Sequence, residues 1–178
     1  MTRDEMLERA LTALNGLCAE KPWREVSLRD VAEKAGVSLT ELYREASSKT
    51  GLIDHLGTRL DEAALATAAT RSDDVHDRLF DATMARVEAM GPWRAVLAGV
   101  EGSAVVPLLP HLPKAARAIL EAAGVEATPP RLAAMTLVWA RIVQVWRADE
   151  GALNRTMAEI DKRLKQMRER LNVIGQGF

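Results

Sequence analysis

Between Ser27 and Lys49 the chain spaces hydroxyls, carboxylates and cations for recognition rather than for bond-making. Ser27 and Ser38 each stand just ahead of a short apolar run, where a hydroxyl can accept from an unpaired helix N–H. Asp30 and Glu41 come after them at capping-box spacing. Ser38 with Glu41 has the full pattern, and Ser27 with Asp30 an approximate one. Gly36 falls where the first of the two helices must stop and turn, a place that favours positive φ. Leu28, Val31, Ala32, Val37 and Leu42 supply the buried contacts. The stretch has the form of a helix-turn-helix, the unit that lays its second helix in the DNA major groove.

Bond-making chemistry finds no comparable constellation. His55, His76 and His111 are scattered, with no HxxxH, HxxE or CxxC neighbour, so no metal site and no cofactor is expected. No GxSxG, P-loop or GxGxxG motif occurs. Cys18 lies on the apolar side of the first helix and reads as core, and Asp73-Asp74 as a solvated pair. The expectation is a protein that is not an enzyme.

The elements that must position these residues are all helical. Thr2 and Glu5 make a capping box for a helix over residues 3–20, with Leu7, Leu11, Leu14 and Cys18 on one face. Lys21-Pro22 ends it, and Trp23 and Val26 are expected under the two short helices. Ser48 opens a fourth helix through Leu52, Ile53, Leu56, Leu60 and Leu65. Residues 71–77 read as a polar connection, and Asp77 as the start of a helix that Gly91-Pro92 stops. An apolar helix is expected from Pro92 to Val106. Pro107, Pro110 and Pro113 then punctuate a stretch that cannot be one regular helix. Lys114 to Ala123 reads as a short helix ended by Gly124. Thr128 before Pro129 marks the next start. Two regular helices complete the chain. Leu132, Met135, Trp139, Ile142 and Trp146 recur in the first, which is apolar nearly all round and expected to be buried. Leu153, Met157, Ile160, Leu164, Met167, Leu171 and Ile174 recur in the second. The fold class is therefore all-α: a three-helix helix-turn-helix domain over residues 1–47, then a helical bundle over 48–178.

Composition agrees with a globular chain: of 178 residues, 48% are hydrophobic and 28% charged. A lone cysteine and no opening signal peptide predict a cytoplasmic location, and no apolar run is long enough to span a membrane. Charge is distributed against a simple picture of a basic protein on DNA. Residues 1–60 hold nine Lys/Arg against ten Asp/Glu, whereas residues 151–178 hold six against three.

The N-terminal quarter resembles the DNA-binding domain of TetR-family regulators. The match lies at Ser27, Leu28, Val31, Ala32, Ala35, Gly36, Val37, Ser38, Leu42, Tyr43, Lys49 and Leu52. Two departures stand out: Ala46 occupies the position of a usual aromatic, and Glu41 and Glu45 add negative charge to the second helix. The resemblance implies that Ser27 and Arg29 meet phosphate and that Ser38, Leu39 and Thr40 point into the groove. It also implies phosphate contacts from the Tyr43 hydroxyl and Lys49, and a phosphate or base-edge contact from Arg44. It further implies a homodimer on a palindromic stretch of double-stranded DNA, responsive to a ligand.

The second half carries most of the Trp and Met, a palette suited to a flexible apolar ligand; Phe80, Met84, Met90, Trp93, Met135 and Trp139 are the candidate lining. Leu132, Trp146, Leu153, Met157, Ile160 and Leu164 are the candidate dimer seam. The segments LFDATMARVEAMGPWRAVL and RADEGALNRTMAEIDKRLKQMRERL are similar to COQ9-like proteins, which share the TetR fold and bind lipid. That likeness implies an alternative: a quinone-precursor-binding accessory with a vestigial helix-turn-helix. Its last helix would rest on an anionic membrane through Lys162, Arg163, Lys165, Arg168 and Arg170. The leading expectation is a ligand-responsive transcriptional regulator, most simply a repressor.

Overall fold

Each helix begins where the chain supplies an acceptor for its first N–H groups. In α1 (Arg3–Glu20) the Thr2 hydroxyl accepts from Glu5 N–H, and the Glu5 carboxylate accepts from Thr2 N–H. The computed structural model describes residues 1–69, 72–102, 111–149 and 153–178. Among them the ordered elements are helical, as the spacing predicted. After α1 come a 3-10 turn (Trp23–Glu25), α2 (Leu28–Ala35), α3 (Leu39–Glu45), α4 (Lys49–Ala66), α5 (Val75–Met90), α6 (Arg94–Gly102), α7 (His111–Ala122), α8 (Pro129–Ala148) and α9 (Asn154–Val173).

The chain forms two units. One gathers Met1–Thr58 with the segment from Pro92 through α6. Its centre is the apolar face of α1, with Leu7, Leu11 and Leu14 fully buried beside Val31, Leu42, Leu52 and Leu56. The turn between α2 and α3 depends on Gly36, which takes φ +63°. Its N–H donates to Glu33 C=O, and Val37 N–H reaches back to Ala32 C=O, satisfying the last carbonyls of α2. Asn15 of α1 acts at the start of α6. Its Oδ1 accepts from Val96 N–H and its Nδ2 donates to Pro92 C=O, each at 3.0 Å. Trp93, the residue before α6, has no side-chain acceptor, so the cap comes from a residue 81 positions away.

The other unit holds Arg59–Gly91 and the chain from α7 to the C-terminus. Met135, Ile142, Ile119, Leu120, Leu79 and Ile160 make its core. Within it Arg86 is 4% exposed. Its guanidinium pairs with Asp61 at 2.9 Å and lies 4.7 Å from the centroid of the Trp139 ring. Asp149, at the end of α8, accepts from both the backbone N–H and the hydroxyl of Thr156 at 2.8 Å, which fastens the start of α9. These bonds, the backbone N–H first, hold the Asp149 carboxyl below the usual range.

Several boundaries differ from expectation. The two capping boxes exchange roles. Ser27 and Asp30 form the complete reciprocal box, whereas Ser38 makes no side-chain cap bond. With Ser27 in the extended region (φ −97°, ψ 159°), even the short Asp30 arm reaches its N–H at 2.9 Å. α5 starts at Val75 rather than Asp77, because Asp74 Oδ1 accepts from His76 N–H. α7 starts at His111 and absorbs Pro113 in its first turn, where a proline forfeits no helical hydrogen bond. α8 is not buried all round: Leu137 is 73% exposed. The expected continuation to Val106, with Pro107 and Pro110, lies outside the described residues, as does Arg71. No described helix is long and apolar enough to cross a membrane.

Candidate nucleic-acid interface

α3 has only seven residues, and its sequence divides it lengthwise. Leu42 is fully buried and Ala46, just beyond the helix, is 3% exposed; both face the core. Side chains four apart share a face, so Leu39 with Tyr43 makes one outer row and Thr40 with Arg44 the next. Glu41 and Glu45 make a third row. The structure brings the first two rows together with α2. Leu39, Thr40, Tyr43 and Arg44 line one surface concavity of about 700 Å³, closed by Leu28, Arg29 and Ser47. Five of the eight residues expected to meet DNA thus share one surface feature. Tyr43 is 60% exposed, with its hydroxyl available to an outside acceptor. Glu41 and Glu45 are not among the lining residues.

The other three are placed differently. Ser27 and Ser38 are exposed beside the helix starts, and Ser27 already spends its oxygen on Asp30 N–H. Lys49 turns inward. Its ammonium donates to the Trp23 carbonyl at 2.5 Å and lies 4.4 Å from the centroid of the same residue's ring. Burial, the main cause, pushes the Lys49 pKa down.

The near-neutral charge of this unit is largely consumed in internal pairs. Asp30 accepts from Ser27 N–H and from Lys21 Nζ at 3.0 Å. The Ser27 backbone bond first, then Lys21, hold its carboxyl at about 2. Lys34 pairs with Glu20 at 2.5 Å and His55 approaches Glu8 at 3.6 Å. Arg3, at the start of α1, reaches Glu45 at 2.5 Å. Among the described residues no carboxylate pairs with Arg29 or Arg44, so the cations lining the concavity remain available. Sequence spacing did not expose the Arg3–Glu45 and Asn15–Val96 contacts, since their partners lie 42 and 81 residues apart.

Ala46 also finds an explanation. A Cβ placed on Gly51 would sit 3.4 Å from Ala46 Cα, so the end of α3 and the first turn of α4 approach closely. The small pair Ala46 and Gly51 permits that approach.

A sequence model described as bacterial regulatory proteins of the tetR family matches residues 10–56, which span the whole helix-turn-helix. The likeness to the tetR family is thus carried by this domain, about a quarter of the chain. Solved structures carry the likeness across the rest of the fold. A TetR transcriptional regulator from Nitrosomonas europaea is 22% identical, with a TM-score of 0.75 over 91% of this chain and 97% of its own. One from Rhodococcus sp. RHA1 is 21% identical, with a TM-score of 0.68 over 93% and 96%. The TetR family repressor AlkX from Dietzia sp., implicated in biodegradation of n-alkanes, is 15% identical, with a TM-score of 0.56 over 93% and 94%. No curated protein sequence matches the chain. The fold of these regulators is thus shared over most of the chain.

The residues expected to line a ligand site divide between the units. Met84, Met90, Met135 and Trp139 are buried in the second, with Phe80 half-buried there, whereas Trp93 belongs to the first. The expected dimer seam divides too. Trp146, Ile160 and Leu164 are at most 3% exposed inside one protomer, in which α8 and α9 pack on each other. A second copy cannot reach these three. Leu132 and Leu153 are half-exposed and Met157 is 42% exposed, so they stay on the surface. The same burial removes support for the membrane alternative. In the apolar stripe of α9, Ile160, Leu164, Met167 and Leu171 are at most 3% exposed, which leaves Met157 and Ile174 at its ends on the surface. Of its cations, Arg163 and Lys165 already pair with Glu159 and Asp161.

Proposed function

We propose that this protein is a DNA-binding regulator that acts as a homodimer on a palindromic operator and is released or engaged by a small apolar ligand held in the second unit. The observation that carries the DNA half is the shared concavity of Arg29, Leu39, Thr40, Tyr43 and Arg44. In this reading Arg29 and the Tyr43 hydroxyl hold phosphates and set the register. Leu39 and Thr40 enter the groove, and Arg44 reaches a base edge or phosphate. Ser27 and Ser38 flank the phosphates as helix-start hydroxyls, and Lys49 supports the site from beneath.

The dimer surface is the outer side of α8 and α9, where Leu132, Leu137, Leu153 and Met157 remain uncovered in the protomer. Residues 1–47 serve as the reading head and 48–178 as the sensing and dimerising part. α4 contributes residues to both compact units. A ligand that favours one α4 position favours one spacing of the two reading heads, and only the matching spacing fits a palindrome.

The test is selection of duplexes from a random library by the purified protein, with binding then measured at several salt concentrations. The expected result is an inverted repeat whose affinity falls steeply with salt. Arg44→Ala should weaken it and relax one position by about 1–3 kcal/mol. Failure to enrich any sequence, with binding equal on random duplex, sinks the proposal.

A further inference from the structure

Glu45 ought to be a liability in a DNA-reading helix. It stands next to Arg44 and two positions before Ser47, and both neighbours line the concavity. It also shares a helix face with Glu41, a like-charge pair that weakens the helix and repels phosphate. Yet its side chain is 35% exposed and its carboxylate carries a guanidinium: Arg3 Nε donates to Glu45 Oε2 at 2.5 Å, from the first residue of α1. An exposed pair of this kind adds little to folding stability, about 0–1 kcal/mol. Its location is what distinguishes it. Other pairs of this unit (Lys21 with Asp30, Arg24 with Glu25, Lys34 with Glu20, His55 with Glu8) involve no residue of α3. Arg3 with Glu45 neutralises the helix that forms it.

We infer that Arg3 is a positioning residue for DNA binding, which masks the Glu45 carboxylate and thereby lets α3 approach the phosphate backbone. The inference rests on the DNA-binding reading above. It explains how a chain with ten carboxylates in its first sixty residues keeps a usable face on α3. It also separates the two acidic residues of the helix. Glu45 is silenced, whereas Glu41, unpaired among the described residues, stays the one negative charge on that row.

A double-mutant cycle tests this on the duplex that the wild-type protein selects, by fluorescence anisotropy in ~0.1 M salt. Arg3→Ala should lower affinity roughly fivefold, the scale of one uncompensated charge beside DNA at this salt. In a Glu45→Gln background the same change should cost less than about twofold, since nothing is left to mask. Arg3→Lys should retain most of the wild-type affinity. Melting temperatures of all variants should stay close to wild type, as expected for an exposed pair. Equal losses in both backgrounds would mean that Arg3 touches phosphate itself, and would overturn the masking role. No loss on Arg3→Ala would overturn it as well. A wild-type protein that selects no duplex overturns the DNA reading and this inference together, whereas selection without coupling overturns only the inference.

Discussion

Replacing Lys49 with methionine separates an inward support from an outward phosphate contact. The ammonium donates to the Trp23 carbonyl at 2.5 Å and lies 4.4 Å from the centroid of the indole. A hydrogen bond from a charged donor contributes about 1.5–3 kcal/mol, and a partly exposed cation–π contact roughly 0.5–1. Methionine keeps the stem packing and relieves the desolvation that depresses the Lys49 pKa, which offsets part of the loss. The net destabilisation of Lys49→Met is then about 2 kcal/mol. For a chain of this length that lowers the melting temperature by about 4–8 °C. The assay pairs thermal unfolding, monitored by circular dichroism, with operator binding across a salt series well below the transition. The salt slope of the variant should equal that of the wild type. An unchanged melting temperature with a slope smaller by about 0.9 would place Lys49 on a phosphate and refute the reasoning.

Three other outcomes are expected in the same unit. Gly36→Ala forces a side chain onto φ +63°, where its nearest neighbour would be the yielding end of Arg9 at 3.1 Å. Backbone strain therefore dominates, and urea unfolding should show a loss of about 1–2 kcal/mol, with Gly36→Asn less affected. Asn15→Ala removes the distant cap of α6; a stability loss of about 1–2 kcal/mol and faster hydrogen exchange at Val96 N–H are expected, and unaltered exchange would contradict the assignment. Asp30 has its folded pKa depressed to about 2 from 3.8 by the Ser27 N–H and Lys21. Its stabilising contribution is therefore complete above about pH 4 and is lost as pH falls through about 2. Asp30→Asn should flatten the acid limb of the stability curve in that window, and identical limbs would count against the capping box as its source.

The local features were legible because each is set within a few residues. Thr2 with Glu5 and Gly36 all appear where spacing placed them, since a cap or a left-handed turn depends on the immediate chain. Ser38 shows the limit of such patterns. Its motif is the fuller of the two, yet the hydroxyl makes no cap bond, because the box needs backbone geometry as well as residue types. Heptad spacing identified Trp146, Ile160 and Leu164 as seam residues without saying whose seam. The pattern is the same whether the facing helix belongs to this protomer or to a second copy, and burial inside the protomer decides it.

The sequence by itself determined a helical protein with a capped helix, a glycine turn and a second short helix, within the stretch that the tetR-family model matches. Those properties arise from short-range hydrogen bonding and periodic burial, which a linear string encodes directly. Tertiary structure alone decided which charges are left without an internal partner. Counting residues leaves Arg3, Lys49, Glu41 and Glu45 equal in standing. Folding spends Arg3 on Glu45 and Lys49 on Trp23, while Arg29 and Arg44 come to line the same concavity. Charge acts through distance, and distance between residues 42 apart in the chain is set only by the fold.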